Sequence, residues 1–136
     1  MRRITEIIIH CTATPEGRDF TVEDIRRVHK KRGFNDVGYH YVVYRDGSIH
    51  KGRAEEFIGA HCKGHNSYSI GVCYVGGMTA DNRSPKDTRT PEQKAALVAL
   101  IKRLKASYPK ATIHGHREFA NKACPCFNAR EEYQNL

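Results

Sequence analysis

Hydrophobic positions fall along this chain in two periodicities, and their order outlines a fold. Ile4–His10 is a β-branched apolar run of strand length, the pattern of a central strand buried on both faces. Pro15 and Gly17 break the chain after this run. From Thr21 the spacing becomes helical. Thr21 can cap a helix with Asp24 closing a capping box, and Ile25 and Val28 share one face. Arg26, Arg27, Lys30 and Lys31 occupy the other faces, and Gly33 stops the helix. Val37–Tyr44 is aromatic and β-branched and predicts a strand. Asp46-Gly47 supplies the positive φ angles of a hairpin turn, and Ile49–Gly52 returns as the partner strand. Ala54–Asn66 reads as loop. Ser69–Val75 reads as another buried strand, closed by Gly76-Gly77, and the polar stretch Met78–Arg89 as an exposed loop. Thr90, Pro91 and Gln93 form the opening of a second helix. Its apolar face is Leu97, Leu100, Ile101 and Leu104, and Pro109 lies beyond its end. Ala111–Ile113 predicts a last short strand and Asn128–Tyr133 a short closing helix. The order β-α-β-β-β-α-β, with no repeat, low-complexity tract or linker, predicts a single α/β domain over residues 1–136. Its centre is a mixed β-sheet flanked by helices.

The densest chemistry comes after the last strand. His114, His116, Glu118, Lys122, Cys124 and Cys126 lie within one short stretch. Imidazole and thiolate are the ligands zinc prefers, and three protein ligands with an open position make a catalytic rather than a structural site. His116 and Cys124 are separated by a loop that must curl back on itself, with Pro125 directly after the cysteine. A third ligand has to come from elsewhere, and His10, at the end of the Ile7-Ile8-Ile9 run, is the best placed. Spacing does not decide between His114 and His116, and the pattern matches no zinc-finger or HExxH motif.

Composition narrows the setting. The chain has 136 residues, 39% hydrophobic and 28% charged, and no apolar run approaches the ~20 residues of a membrane span. No signal-peptide pattern precedes Ile7, so the expectation is cytoplasmic synthesis without a membrane, and action on an outside target only after release. The five cysteines, an odd number without an export signal, argue for reduced thiols rather than a disulfide framework. The formal net charge of +8 favours an anionic partner, such as nucleic acid, acidic lipid or a wall polymer. The basic residues are dispersed, and no nucleic-acid-binding motif is visible, so nucleic acid is not expected as a partner.

Several stretches carry a resemblance. They are His10-Cys11-Thr12-Ala13-Thr14, Asp36–Tyr41, Tyr44-Arg45-Asp46-Gly47, Ser69–Cys73, His116-Arg117-Glu118 and Lys122-Ala123-Cys124-Pro125. In this order and at these separations the chain, from about Ile4 to about Tyr133, resembles the zinc-dependent type-two N-acetylmuramoyl-L-alanine amidases. That superfamily includes phage lysozyme-amidases and peptidoglycan recognition proteins. The resemblance implies zinc held by His10, His116 and Cys124, and so favours His116 over His114. It implies Tyr39 and Lys122 as catalytic residues and peptidoglycan as the partner. A monomer is expected, and the short single-domain form suits a phage or prophage lysin, an intracellular recycling enzyme or an interbacterial enzyme, which the sequence does not separate. His61 is expected to line the substrate groove. Alternation along a strand would send Tyr39 and His40 to opposite faces, so both cannot point at the metal. Glu118 is expected to hold its loop rather than act as a base. Cys11 and Cys126 sit beside ligands without being expected to bind zinc. The identity of the general base stays open between Tyr39 and Lys122.

The rival reading is a non-catalytic peptidoglycan-binding module. Relatives of that kind often lack the cysteine ligand, whereas Cys124, Tyr39 and Lys122 are all present here.

Overall fold

The computed structural model describes residues 2–136. At its centre β1 (Glu6–Cys11) lies between β5 (Ser69–Tyr74) and β7 (Thr112–Gly115), parallel to both. β3 (Tyr41–Val43) runs parallel to β5, and β4 (Ile49–Lys51) pairs antiparallel with β3 through the expected hairpin. Together they form a five-stranded mixed sheet in the order β4-β3-β5-β1-β7. The mixed α/β sheet flanked by helices is therefore as the apolar pattern implied.

Alternation gives the sheet two unlike faces. Ile7, Ile9 and Cys11 of β1 join Ile70, Val72 and Tyr74 of β5 in the main core. That core is closed by Leu97, Leu100, Ile101 and Leu104 of α2 (Pro91–Ser107) and by Ala129 of α3 (Ala129–Glu132). The opposite face is covered by α1 (Val22–Lys31) through a smaller cluster of Ile25, Val37, Val42 and Val75. His10 lies between Ile9 and Cys11 and so belongs to this second face. Both capping boxes are present, Thr21 with Asp24 and Thr90 with Gln93. Gln93 is also fully buried, where its Nε2 donates to Val43 O at 3.2 Å and Val75 O at 3.0 Å, tying α2 to the ends of β3 and β5.

The structure departs from the sequence pattern in four places. The strand expected over 37–44 shrinks to Tyr41–Val43. Residues 37–40 give part of their hydrogen bonding to the 54–60 loop instead: Ala60 N donates to Gly38 O at 3.0 Å, and a Cβ on Gly38 would collide with Ala60 O. On α1 the inward pair is Ile25 and His29, while Val28 is exposed, because His29 Nδ1 accepts a 2.8 Å bond from Gly38 N. A second sheet of two short parallel strands, β2 (Thr14–Pro15) and β6 (Gly77–Met78), has no counterpart in the apolar pattern, since two residues carry no periodicity. Finally, the polar 78–89 stretch ends buried. Arg89 packs over the Phe127 ring at 3.4 Å and pairs with Asp87 at 2.8 Å and Glu132 at 2.6 Å.

Candidate active site

β1 and β7 are neighbouring parallel strands with Ile9 opposite Gly115, so their next residues, His10 and His116, emerge side by side. The C-terminal ends of parallel strands are where α/β sheets place their ligands. His116 opens a 3₁₀ turn, His116–Glu118, that turns the chain off the sheet. The returning loop is tied back by Arg117 N donating to Cys124 O at 2.8 Å. Pro125 then packs against Gly115, where a Cβ would lie 2.9 Å from its Cδ, and Tyr74 Oη donates to Pro125 O at 2.7 Å. These constraints carry Cys124 back to His10. Among the described residues, His10, His116 and Cys124 form a metal-sized donor group, their ligand atoms all within 4.8 Å of one another.

The donor set suits zinc. Two bonds of ~2.0–2.3 Å to one ion span at most about 4.6 Å, so the donors need close only slightly around it. Burial, then the neighbouring His61, His116 and Lys122, holds His10 well below the usual imidazole range. Burial and the Lys122 ammonium lower His116 as well. Both rings are therefore neutral at neutral pH, the form that ligates a cation. The backbone N–H of Cys11 donates to Cys124 Sγ at 3.2 Å and so fixes where that sulfur stands.

Tyr39 stands beside this group. Its ring centroid is 5.1 Å from that of His10 and 5.3 Å from that of His29, which places it between the donor cluster and α1. Burial pushes its hydroxyl well above the usual phenol range, so it remains a hydrogen-bond donor at neutral pH. Lys122 is exposed on the 116–124 loop. With Arg117, Asn121, Asn128 and Arg130 it lines an open cavity of about 530 Å³.

His40 is not at the donor cluster. It is fully buried, with Nδ1 accepting from Gly71 N at 3.0 Å and Nε2 donating to Phe57 O at 2.8 Å. His114 lies along β7, bonded to Thr112 Oγ1 at 2.7 Å and Glu118 Oε1 at 3.0 Å. Glu118 also accepts from Gly115 N at 2.8 Å and so braces the turn that presents His116. Cys11 and Cys126 pair on the core side of the sheet, Sγ to Sγ 4.0 Å, and take no part in the three-donor group. Hydrogen bonding with Cys124 and burial push the Cys11 thiol up to about 12, and Cys126 is raised as well. Both are protonated, poorly reactive thiols.

His61, expected in the substrate groove, is buried instead, and both ring nitrogens are engaged within the protein. Nδ1 lies 2.8 Å from His10 Nε2, and Nε2 lies 3.2 Å from Ser69 Oγ. It therefore leaves no free polar atom for a ligand. Sequence reasoning missed Ser69, Asn66 and His29 as members of the site's surround. One signal was present: a glycine inside a buried apolar strand marks a close approach, and Gly71 is where the His61 ring lies over β5.

A donor set of two neutral histidines and one cysteine at the end of a parallel strand pair, with a partly buried phenol beside it and a lysine on its loop, has the make-up of a single-metal hydrolase. The chain belongs to the N-acetylmuramoyl-L-alanine amidase family, whose model matches residues 1–127. It is 44% identical over 124 residues to the endolysin of Enterobacteria phage K11, covering 91% of this chain and 82% of that one. Among solved structures it is similar to the N-acetylmuramoyl-L-alanine amidase LysC from Clostridium intestinale URNW. The TM-score is 0.81 at 28% identity, over 96% of this chain and 82% of the other. Bumblebee PGRP-SA, 24% identical with a TM-score of 0.80 over 100% of this chain and 83% of its own, shares the fold.

Proposed function

We propose that this protein is a zinc-dependent N-acetylmuramoyl-L-alanine amidase, cutting the amide between the lactyl group of N-acetylmuramic acid and the L-alanine of the stem peptide. Family membership and the likeness to a phage endolysin and to LysC support the peptidoglycan amidase activity. The observation that carries the zinc assignment is the convergence of His10, His116 and Cys124 from β1 and the loop after β7. Those three residues would hold the ion, which supplies a Lewis acid and activates water near neutral pH.

The remaining work falls to the chain's own groups. Negative charge develops on the carbonyl oxygen as the amide is attacked. The Tyr39 hydroxyl, kept protonated by burial, donates a hydrogen bond to that oxygen. The Lys122 ammonium supplies positive charge from the exposed 116–124 loop. Of the two residues left open as general base, the protonated phenol of Tyr39 is the poorer one. The cavity around Lys122 carries Arg117 and Arg130 as well, against the one carboxylate of Glu118, and this balance suits a peptide that carries carboxylates. Among the described residues no helix is long and apolar enough to cross a membrane, and the likeness to phage endolysins supports action on the cell wall.

The test is digestion of purified peptidoglycan with mass analysis of the products. Free stem peptides beginning at L-alanine should be released, lost with a chelator and restored by zinc. Zinc-loaded protein that binds the wall and releases nothing would replace the enzyme with a recognition module.

A further inference from the structure

We infer that His61 is a positioning residue for the metal centre, an acceptor at Nδ1 that holds His10 in the one tautomer able to ligate. This rests on the zinc reading and extends it to a residue outside the donor set. The two nitrogens of His10 face different partners. Nε2 is taken by the 2.8 Å bond to His61 Nδ1, and Nδ1 lies 4.0 Å from Cys124 Sγ, on the side of the other donors. Nδ1 can offer its lone pair there only if the ring's proton sits on Nε2. His10 then donates, and His61 Nδ1 must accept. A neutral His61 accepting at Nδ1 carries its own proton on Nε2, where Ser69 Oγ receives it at 3.2 Å. The resulting line is Cys124 cluster, His10, His61, Ser69, with each proton assigned. Ser69 is fully buried and His61 nearly so, so water does not supply a substitute acceptor.

The fold is built to keep that ring in place. Asn66 Oδ1 accepts from both His61 N and Cys62 N at 2.9 Å, clamping the loop. Ala60 N is tied to Gly38 O at 3.0 Å just before it. Two glycines leave the room: a Cβ on Gly71 would lie 2.7 Å from the His61 ring, and one on Gly59 would lie 2.7 Å from its Cδ2. The two rings stand at 90° to each other with centroids 4.8 Å apart, and the nitrogens that meet are His10 Nε2 and His61 Nδ1. Outer partners of this kind orient a ligand, fix its tautomer and raise its basicity.

The experiment is a zinc competition titration against a chromophoric chelator, on the native chain and on His61→Leu and His61→Asn. The asparagine amide oxygen reaches roughly where Nδ1 stands, so it can keep the acceptor, whereas leucine fills space without one. His61→Leu should bind zinc about 10–100-fold more weakly, the usual loss for an outer-sphere partner, and His61→Asn should recover most of it. Two-bond proton–nitrogen spectra of the metal-free native chain should place the His10 proton on Nε2. A leucine variant with native zinc affinity would overturn the inference, and so would equal losses in both variants, which would mean packing alone. A His10 proton on Nδ1 would do the same. Each of these can occur while the native chain binds zinc and digests peptidoglycan, so the amidase reading would survive them. A native chain that takes up no zinc would remove both.

Discussion

At the scale of single residues, the site is a matter of which proton sits where. Tyr39 and Lys122 are two donors of different kinds, a partly buried phenol and an exposed ammonium, and only the first is held by packing on both sides, against His10 and His29. Tyr39→Phe keeps the ring and removes only the hydroxyl. The expected result is a loss on the order of 10²–10³ in kcat, with zinc affinity and melting temperature close to native. Steady-state digestion of soluble muramyl peptides together with a zinc titration would check it. A full-rate phenylalanine variant would remove Tyr39 from the reaction. Tyr39 and His40 also show the limit of alternation as a guide. Successive strand residues face opposite sides, which would part the two, yet residues 39 and 40 precede β3. Hydrogen bonds decide their places: His40 is pinned by Gly71 N and Phe57 O, and Tyr39 is left to pack against His10.

At the scale of elements, the long-range ties are polar, and the sequence pattern does not announce them. Helix α2 was legible in full, from its Thr90 cap to its Leu97, Leu100, Ile101 and Leu104 face, because cap and stripe are local signals. Arg89, one residue before that cap, was not. It closes the 78–89 stretch onto α3 through Glu132 and Tyr133, with Nη1 donating to Glu132 Oε2 at 2.6 Å and to Tyr133 Oη at 3.0 Å. A lone arginine in a polar stretch reads as a surface charge, and only the arrival of α3 makes it a buried one. Arg89→Met should cost about 1–3 kcal/mol. Breaking a fully buried pair costs more, but Asp87 and Glu132 are partly exposed and regain water when the arginine goes. Urea denaturation would measure this. A variant as stable as the parent would show that the ion pairs and the Phe127 contact contribute nothing net.

At the scale of the whole molecule, buried neutral histidines set the pH response. Burial holds His29 down to about 4, and its Nδ1 accepts from Gly38 N. Burial likewise lowers His40, whose Nδ1 accepts from Gly71 N. In the unfolded chain these rings take up protons near ~6.5. Between there and about 4 the unfolded state therefore binds more protons than the folded one, and stability falls as pH falls through that window. Above it, the histidines add no further slope. The melting temperature of the metal-free protein should thus be steady from about pH 7 to 8 and several degrees lower at about pH 5. Carboxylates with depressed values, such as Asp36 beside Arg26, add their loss only at lower pH. A melting temperature unchanged at about pH 5 would contradict the neutral-histidine account.

The sheet, the two main helices and the chemistry of the donors were all legible along the chain. They rest on local facts: β-branched runs, capping boxes, helical stripes, and the preference of imidazole and thiolate for zinc. Family motifs then singled out His116 from His114 and marked Tyr39 and Lys122. Packing in three dimensions supplied the parts that no local signal encodes. It set the parallel register of β1 and β7 that puts His10 beside His116, and the folding back of the 116–127 loop that brings Cys124 to them. It also turned His61 from a loop residue into the partner of His10, because contacts between residues 51 positions apart depend on how strands and loops pack. Hydrogen bonds and close approaches of that range leave no periodic trace along the chain.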